Sequence, residues 1–239
     1  MNLFYVPHFS LEDPSLLLPQ QESTHVSRVL RKKIGDQIHV TNGKGLLALA
    51  EIGPSKGNEI HLKLIKVTFE ASKPYILHLY VAPTKMNERF EWFLEKATEI
   101  GISSITPIIC AQSERKVIKP ERYEKVILSA MKQSLQSYLP LLKPAISLSK
   151  LLELPFKGHT YIAHCDPSKE KIGFNNQNLK NQTIHLLIGP EGDFSTLEIT
   201  KALAKGFKAV SFGSTRLRTE TAAIYATASV AAQNENYES

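Results

Sequence analysis

Two segments in the last quarter of the chain gather the residue types best suited to chemistry. In LLIGPEGDFSTLE (186–198) an apolar run enters Gly189-Pro190-Glu191-Gly192, and Ser195 with Glu198 then forms a capping box that opens a helix. Glycines at a strand end let backbone amides and carbonyls approach a ligand, while Pro190 and Glu191 imply a rigid turn with an acid at its tip. The phosphate-cradling Gly-x-x-x-x-Gly-Lys pattern and the dinucleotide Gly-x-Gly-x-x-Gly pattern are both absent from it. The plain alternative is a tight turn between strand and helix. In SFGSTRLRTETAAIYA (211–226) a strand ending at Gly213 leads to Arg216, Arg218, Thr219, Glu220 and Thr221, ahead of an alanine-rich helix. Capping accounts for Thr219 or Thr221 and for Glu220 at the positive helix end. It leaves unexplained two arginines at spacing two, which project to one side of an extended loop. The eight histidines are scattered without ligand spacing, so no metal site is expected.

Such loops need strands to deliver them. After Pro74, strand-like runs alternate with helical ones: YILHLYV (75–81), the amphipathic NERFEWFLEKATEIG (87–101), ITPIIC (105–110), a helix from Pro120 to about Ser137, TYIAHC (160–165), TIHLLIG (183–189), a capped helix ending near Gly206, AVSFG (209–213) and the helix 221–233. Strands apolar on both faces, alternating with helices, predict a mainly parallel α/β sheet. Before Pro74 the pattern is different. IHVTNG (38–43), GLLALAEIG (45–53) and IHLKLIKV (60–67) are short strands with turn punctuation, predicting a small barrel or sandwich. HVSRVLRKKIGD (25–36) has Val26, Val29 and Leu30 at helical spacing, which would turn Arg28, Arg31 and Lys32 outward. The polar, proline-containing stretch 69–74 marks a boundary between a β-rich domain 1–72 and an α/β domain 73–239.

The 239 residues, 42% hydrophobic and 22% charged, suit one or two folded domains and exclude a disordered or collagen-like chain. Cys110 and Cys165 are too few for a disulfide scaffold and fit a reduced cytosol. No apolar run reaches the ~18 residues of a membrane span, and the amino terminus lacks a secretory pattern, so a cytoplasmic location is expected. The net charge of +6 is uneven: residues 73–150 carry 12 basic and 7 acidic residues, and Arg28, Arg31, Lys32 and Lys33 cluster near the front. That bias suits a nucleic-acid partner.

IGPEGDFS (188–195) and FGSTRLRTETAA (212–223), in this order and separation, resemble the paired motifs of the RsmE family of 16S ribosomal RNA uridine methyltransferases, within the SPOUT or α/β-knot superfamily. KMNERFEWFLEKATEIGI (85–102), SERKV (113–117) and the basic stretch 25–45 extend the resemblance over the whole chain. It departs at Leu135-Gln136, where the family usually has glycine and arginine, and at Asp193, where it has glycine. The resemblance implies a PUA-like barrel over 1–72, a trefoil-knotted α/β domain over 73–239, a homodimer, and S-adenosylmethionine as cofactor. It places that cofactor on three loops: Ala163 and His164; Ile188 to Gly192; and Phe212, Gly213, Leu217, Arg218, Thr219, Thr221 and Ala222. The partner is 16S rRNA or the small subunit, met by Arg28, Arg31, Lys32, Lys33, Lys85, Arg89 and Arg115.

The implied target is N-3 of an unpaired uridine, which must lose a proton before it can attack. Arg218 is the candidate cation for the resulting anion, and Glu220 the candidate base. Alternatively, the two pair with each other and only shape the loop. Two other functions compete. A knotted RNA methyltransferase acting on ribose or guanine is opposed by LRTETA. A silent RNA-binding module is opposed by intact Gly189, Gly192 and Gly213.

Overall fold

The alternation in the first seventy positions is realised as a five-stranded sheet. The structure, a computed structural model, describes residues 2–56 and 59–235. The strands are β1 (Leu3–Tyr5), β2 (Ser15–Leu17), β3 (Gln37–Thr41), β4 (Leu46–Lys56) and β5 (Glu59–Phe69), with the short helix α1 (Gln20–Thr24) after β2. The order is β1-β3-β4-β5-β2, antiparallel except for the β1–β3 pair. Alternate residues, among them Ile38, Val40, Ala48, Ala50, Ile60 and Leu62, fill one core with Phe4 and Val26. The stretch 25–36 is not the expected amphipathic helix. It is a single wide turn, His25–Val29, in which Leu30 N donates to His25 O, and Arg31 then adopts a left-handed φ of 53°. The wide turn breaks the 3.6 period, so only Val26 is buried, while Val29 and Ile34 are each 67% exposed.

The rest of the chain comprises β6 (Ile76–Val81), α2 (Asn87–Ile100), β7 (Ser104–Ile109), α3 (Pro120–Gln133), β8 (Leu141–Leu142), β9 (Ile146–Ser147), α4 (Leu148–Leu151), β10 (His159–Ala163), β11 (Ile172–Gly173), β12 (Thr183–Ile188), α5 (Thr196–Ala204), β13 (Lys208–Ser211) and α6 (Thr219–Asn234), the expected alternation with the short β8, β9, α4 and β11 added to it. All pairings in this sheet are parallel, in the order β11-β13-β10-β12-β6-β7-β8, with β9 beside β7. β12 is laid between β6 and β10, both earlier in the chain. The capping box at Ser195 and Glu198 is present with both reciprocal hydrogen bonds. α2 ends at Gly101, whose φ of 117° excludes continuation of the helix.

α6 packs on α2. The sequence of this helix places the small residues Ala222, Ala223, Ala226, Ser229, Val230 and Gln233 on one face, suited to close approach by a second copy; of these, Ala222, Ala223, Ala226 and Val230 are buried within the chain itself, and Ser229 and Gln233 are half-buried. Small residues permit close helix approach whether the neighbour is the same chain or another, so spacing alone did not discriminate.

Contacts divide the chain into Met1–Ser72 with Leu128–Leu139, and Lys73–Ile127 with Pro140–Ser239. Residues 128–139, expected in the second domain, group with the first because their polar partners lie there. Lys132 Nζ sits 2.7 and 3.0 Å from the Glu22 carboxylate oxygens, Thr41 Oγ1 donates to Ser137 O, Leu139 N donates to Gly43 O, and Tyr138 Oη donates to Glu70 O. α3 stops at Gln133 rather than near Ser137, with Leu135 at a φ of 58° in the place of the family's glycine.

Candidate active site

Three neighbouring parallel strands, β13, β10 and β12, end on the same edge of the sheet. Their carboxyl ends deliver Phe212, His164 and Gly189, in the position where open α/β sheets bind ligands. The first turn of α6 closes the group, as Thr219 Oγ1 donates to Gly189 O at 2.8 Å. They enclose a cavity of about 410 Å³, within the range of roughly 300–1,000 Å³ usual for small-molecule sites. Of the expected cofactor residues, Ala163, His164, Ile188, Gly189, Pro190, Glu191, Phe212, Leu217, Arg218, Thr219 and Ala222 line it.

Gly192, Gly213 and Thr221 do not. A Cβ at Gly192 would lie 2.5 Å from Gln112 Oε1, and one at Gly189 would meet the Phe194 ring at 3.1 Å. These two glycines serve packing behind the loop. Gly213 faces open space, and its requirement is its φ of 142°. Thr221 is exposed.

Polar side chains tie the loops together. Asp193, at a φ of 66°, accepts from Cys165 N through Oδ2 at 2.7 Å and from Phe194 N through Oδ1. It thereby links the loop after β12 to the loop after β10, a bond glycine at this position would lack. Glu191 Oε1 accepts from Lys85 N at 3.0 Å, so the acid at the turn tip is engaged with backbone.

The charged pair is arranged differently from either sequence reading. Arg218 is the N-cap residue of α6, with extended backbone and an exposed side chain, and no side chain caps the helix. Glu220 is only 5% exposed and is not part of the cavity wall. Its ion pair is with Arg89 of α2 rather than with Arg218: Arg89 Nε lies 3.8 Å from Glu220 Oε1, while Oε2 has no partner. Arg89 itself lines the cavity.

His164 is 6% exposed, and neither ring nitrogen has a hydrogen-bond partner. Burial chiefly lowers its proton affinity, helped by Lys171 and Lys169 and opposed by Asp193 and Asp166. Buried polar groups without partners are uncommon in folded proteins. An orphaned imidazole on a cavity wall fits a ligand with polar edges.

The RNA candidates separate. Arg28, Arg31 and Lys33 are exposed and Lys32 half-buried, all in the first unit. Lys85 pairs with Glu114 at 2.9 Å. Arg115 donates to Thr84 O and Lys85 O, so its guanidinium braces that loop. Sequence reasoning missed Cys165, Asp193, Val210, Ser211, Thr215 and Arg216 as lining residues, each within two positions of a residue it chose. Among the described residues no group of three or more His, Cys, Asp or Glu is placed to hold a metal, and no helix is long and apolar enough to cross a membrane.

A parallel sheet with a ligand cavity at its strand ends, preceded by a β-rich unit, is the architecture of a two-domain RNA methyltransferase. The models of the RNA methyltransferase PUA domain and the RNA methyltransferase domain match residues 18–65 and 71–231. The ribosomal RNA small subunit methyltransferase E of Rickettsia conorii is 30% identical over 96% of this chain and 94% of its own. The crystal structure of a probable rRNA methyltransferase from Porphyromonas gingivalis superposes with a TM-score of 0.89, at 35% identity and 98% coverage of both chains. That of the Neisseria gonorrhoeae ribosomal RNA small subunit methyltransferase E, bound to S-adenosyl methionine, gives a TM-score of 0.82 at 25% identity, covering 95% of each. The chain belongs to the family of ribosomal RNA small subunit methyltransferases E.

Proposed function

We propose that this enzyme transfers a methyl group from S-adenosylmethionine to N-3 of a uridine in 16S ribosomal RNA. The observation that carries the reading is the single cavity on which both motif loops converge with the orphaned His164. The residues present fit the cofactor. Gly189, Pro190 and Phe212 line the cavity together with apolar Ile188, Leu217 and Ala222, and His164 offers a polar partner. When bound, S-adenosylmethionine supplies a methyl carbon on a sulfonium: the N-3 electron pair forms the new N–C bond, and the S–C bond breaks with its pair left on sulfur.

The chain's part is to make N-3 available and anionic. N-3 lies on the base-pairing edge, so the base enters the cavity unpaired. Arg218, exposed at the N-cap of α6, stabilises the negative charge left when the N-3 proton departs to solvent. Arg28, Arg31, Lys32 and Lys33 hold phosphate and steer the RNA.

Three finer features belong to the same reading. β12 inserted between two earlier strands supports a trefoil knot, a rare exception to unthreaded connections. Met86, Trp92 and Tyr225, exposed on or beside α2 and α6, suit a homodimer. A ribosomal substrate implies action in the cytoplasm.

The test is incubation of the protein with the cofactor and small subunits from cells lacking the gene, followed by mass mapping of the rRNA. One new methyl on a uridine base is expected. A methyl on ribose or guanine, or none, would refute the proposal.

A further inference from the structure

We propose that Arg89 is a second catalytic cation of this site and that Glu220 is the positioning residue that holds it; the assignment rests on the uridine N-3 reading above. Arg89 stands in the first turn of α2, lines the cavity, and keeps about a third of its side chain exposed. Among the described residues its guanidinium makes no hydrogen bond, and its contact is the 3.8 Å approach of Nε to Glu220 Oε1. The guanidinium is therefore anchored on one side and free on the other.

Glu220 is the other half of the argument. A carboxylate 5% exposed, with one long ion pair and one unpartnered oxygen, is costly as a packing element. It lies in the first turn of α6, where the helix dipole favours a negative charge. It is not part of the cavity wall, which argues against direct proton abstraction from a base held there. What it does reach is Arg89. The uracil anion spreads its charge over the two carbonyl oxygens that flank N-3. Arg218 and Arg89 approach the cavity from different elements, so each oxygen has a cation to meet it. A guanidinium retains its charge at any working pH, and a fixed one stabilises the anion without reorganising.

The experiment is single-turnover methylation of unmodified small subunits at saturating cofactor, with cofactor affinity measured separately by calorimetry on the full chain. Arg89→Ala should slow transfer about 100-fold, with cofactor affinity held within about threefold. Glu220→Gln should slow it about tenfold, and the double variant should be no slower than Arg89→Ala alone, because the two act as one unit. Added guanidinium should restore Arg89→Ala and restore the double variant much less. Should Glu220→Gln fail to fold, Arg89→Lys, changed at a partly exposed position, is expected to lose the rate while keeping cofactor affinity. Wild-type rates in Arg89→Ala, a fall in its cofactor affinity matching its fall in rate, or loss of the acid limb of the pH–rate profile in Glu220→Gln would each overturn the assignment. The last outcome would make Glu220 the proton acceptor. A wild-type protein that binds cofactor but methylates no uridine would overturn the underlying reading and this assignment with it.

Discussion

Arg218 sits where a strand end meets a helix start, in the extended backbone usual for an N-cap, and its guanidinium, all donors, cannot accept from the first N–H groups of α6. The role we propose for it is electrostatic, so Arg218→Ala should lower turnover by about 100–1,000-fold while cofactor affinity holds. Raising the pH should recover part of the rate by ionising the uracil unaided. Rate and calorimetric affinity, compared across pH, check this. His164 predicts a pH effect on binding. Burial holds it neutral below its ordinary value of 6.5. As pH falls below that value and the ring gains a proton, a positive charge appears beside the site of a cationic cofactor. Affinity should decline on acidification in the wild type and stay flat in His164→Gln, as read by calorimetry between pH 5 and 8.

At the scale of elements, α6 and α2 are held by small side chains. Ala226 is fully buried, and Ala226→Leu should cost about 1–3 kcal/mol by overpacking. Chemical denaturation measures that loss, and sedimentation should show association unchanged. The central strands carry a second pH device. His78 of β6 and His185 of β12 stack at 4.6 Å; His78 Nδ1 meets Ser104 Oγ, and His185 bridges Tyr80 Oη and Lys157 O. Burial first, then His185 and Lys143, lower the His78 value from 6.5 to about 4. The folded state thus stays neutral in a window where the unfolded chain takes up a proton. The unfolded state binds more protons there, so stability falls as pH drops from about 6.5 to about 4. Melting temperatures measured from pH 7 to pH 4 should fall over that window, and His78→Asn should flatten the decline.

For the whole molecule, several basic side chains of residues 73–150 are engaged locally: Lys85 with Glu114, Lys96 with Glu95 and Glu99, Arg122 with Glu91, Lys132 with Glu22, and Arg115 with backbone carbonyls. The exposed cluster Arg28, Arg31 and Lys33 has no such partners among the described residues. Replacing these three with alanine should weaken RNA binding and reduce the slope of log affinity against log salt by about 2. Cofactor affinity should not change. Filter binding over a salt series measures the slope.

The local patterns of this chain were enough for the parallel sheet and for the helix opened by Ser195 and Glu198, because each depends on periodicity or on residues within one loop; most of the cavity wall was legible only through the resemblance of the two loop motifs to a known family. The stretch 25–36 was misread because a wide turn and a left-handed Arg31 break the helical period several residues before Gly35, the one glycine in the stretch. Which partner covers α6, which carboxylate answers Arg89, and to which unit residues 128–139 belong were settled by contacts between segments far apart in sequence. Glu220 shows the difference: its sequence neighbours suggested a pair with Arg218 two residues away. Burial at the foot of α6 turned its carboxylate instead to Arg89 on α2, since a desolvated charge pairs with whatever cation the packing brings near.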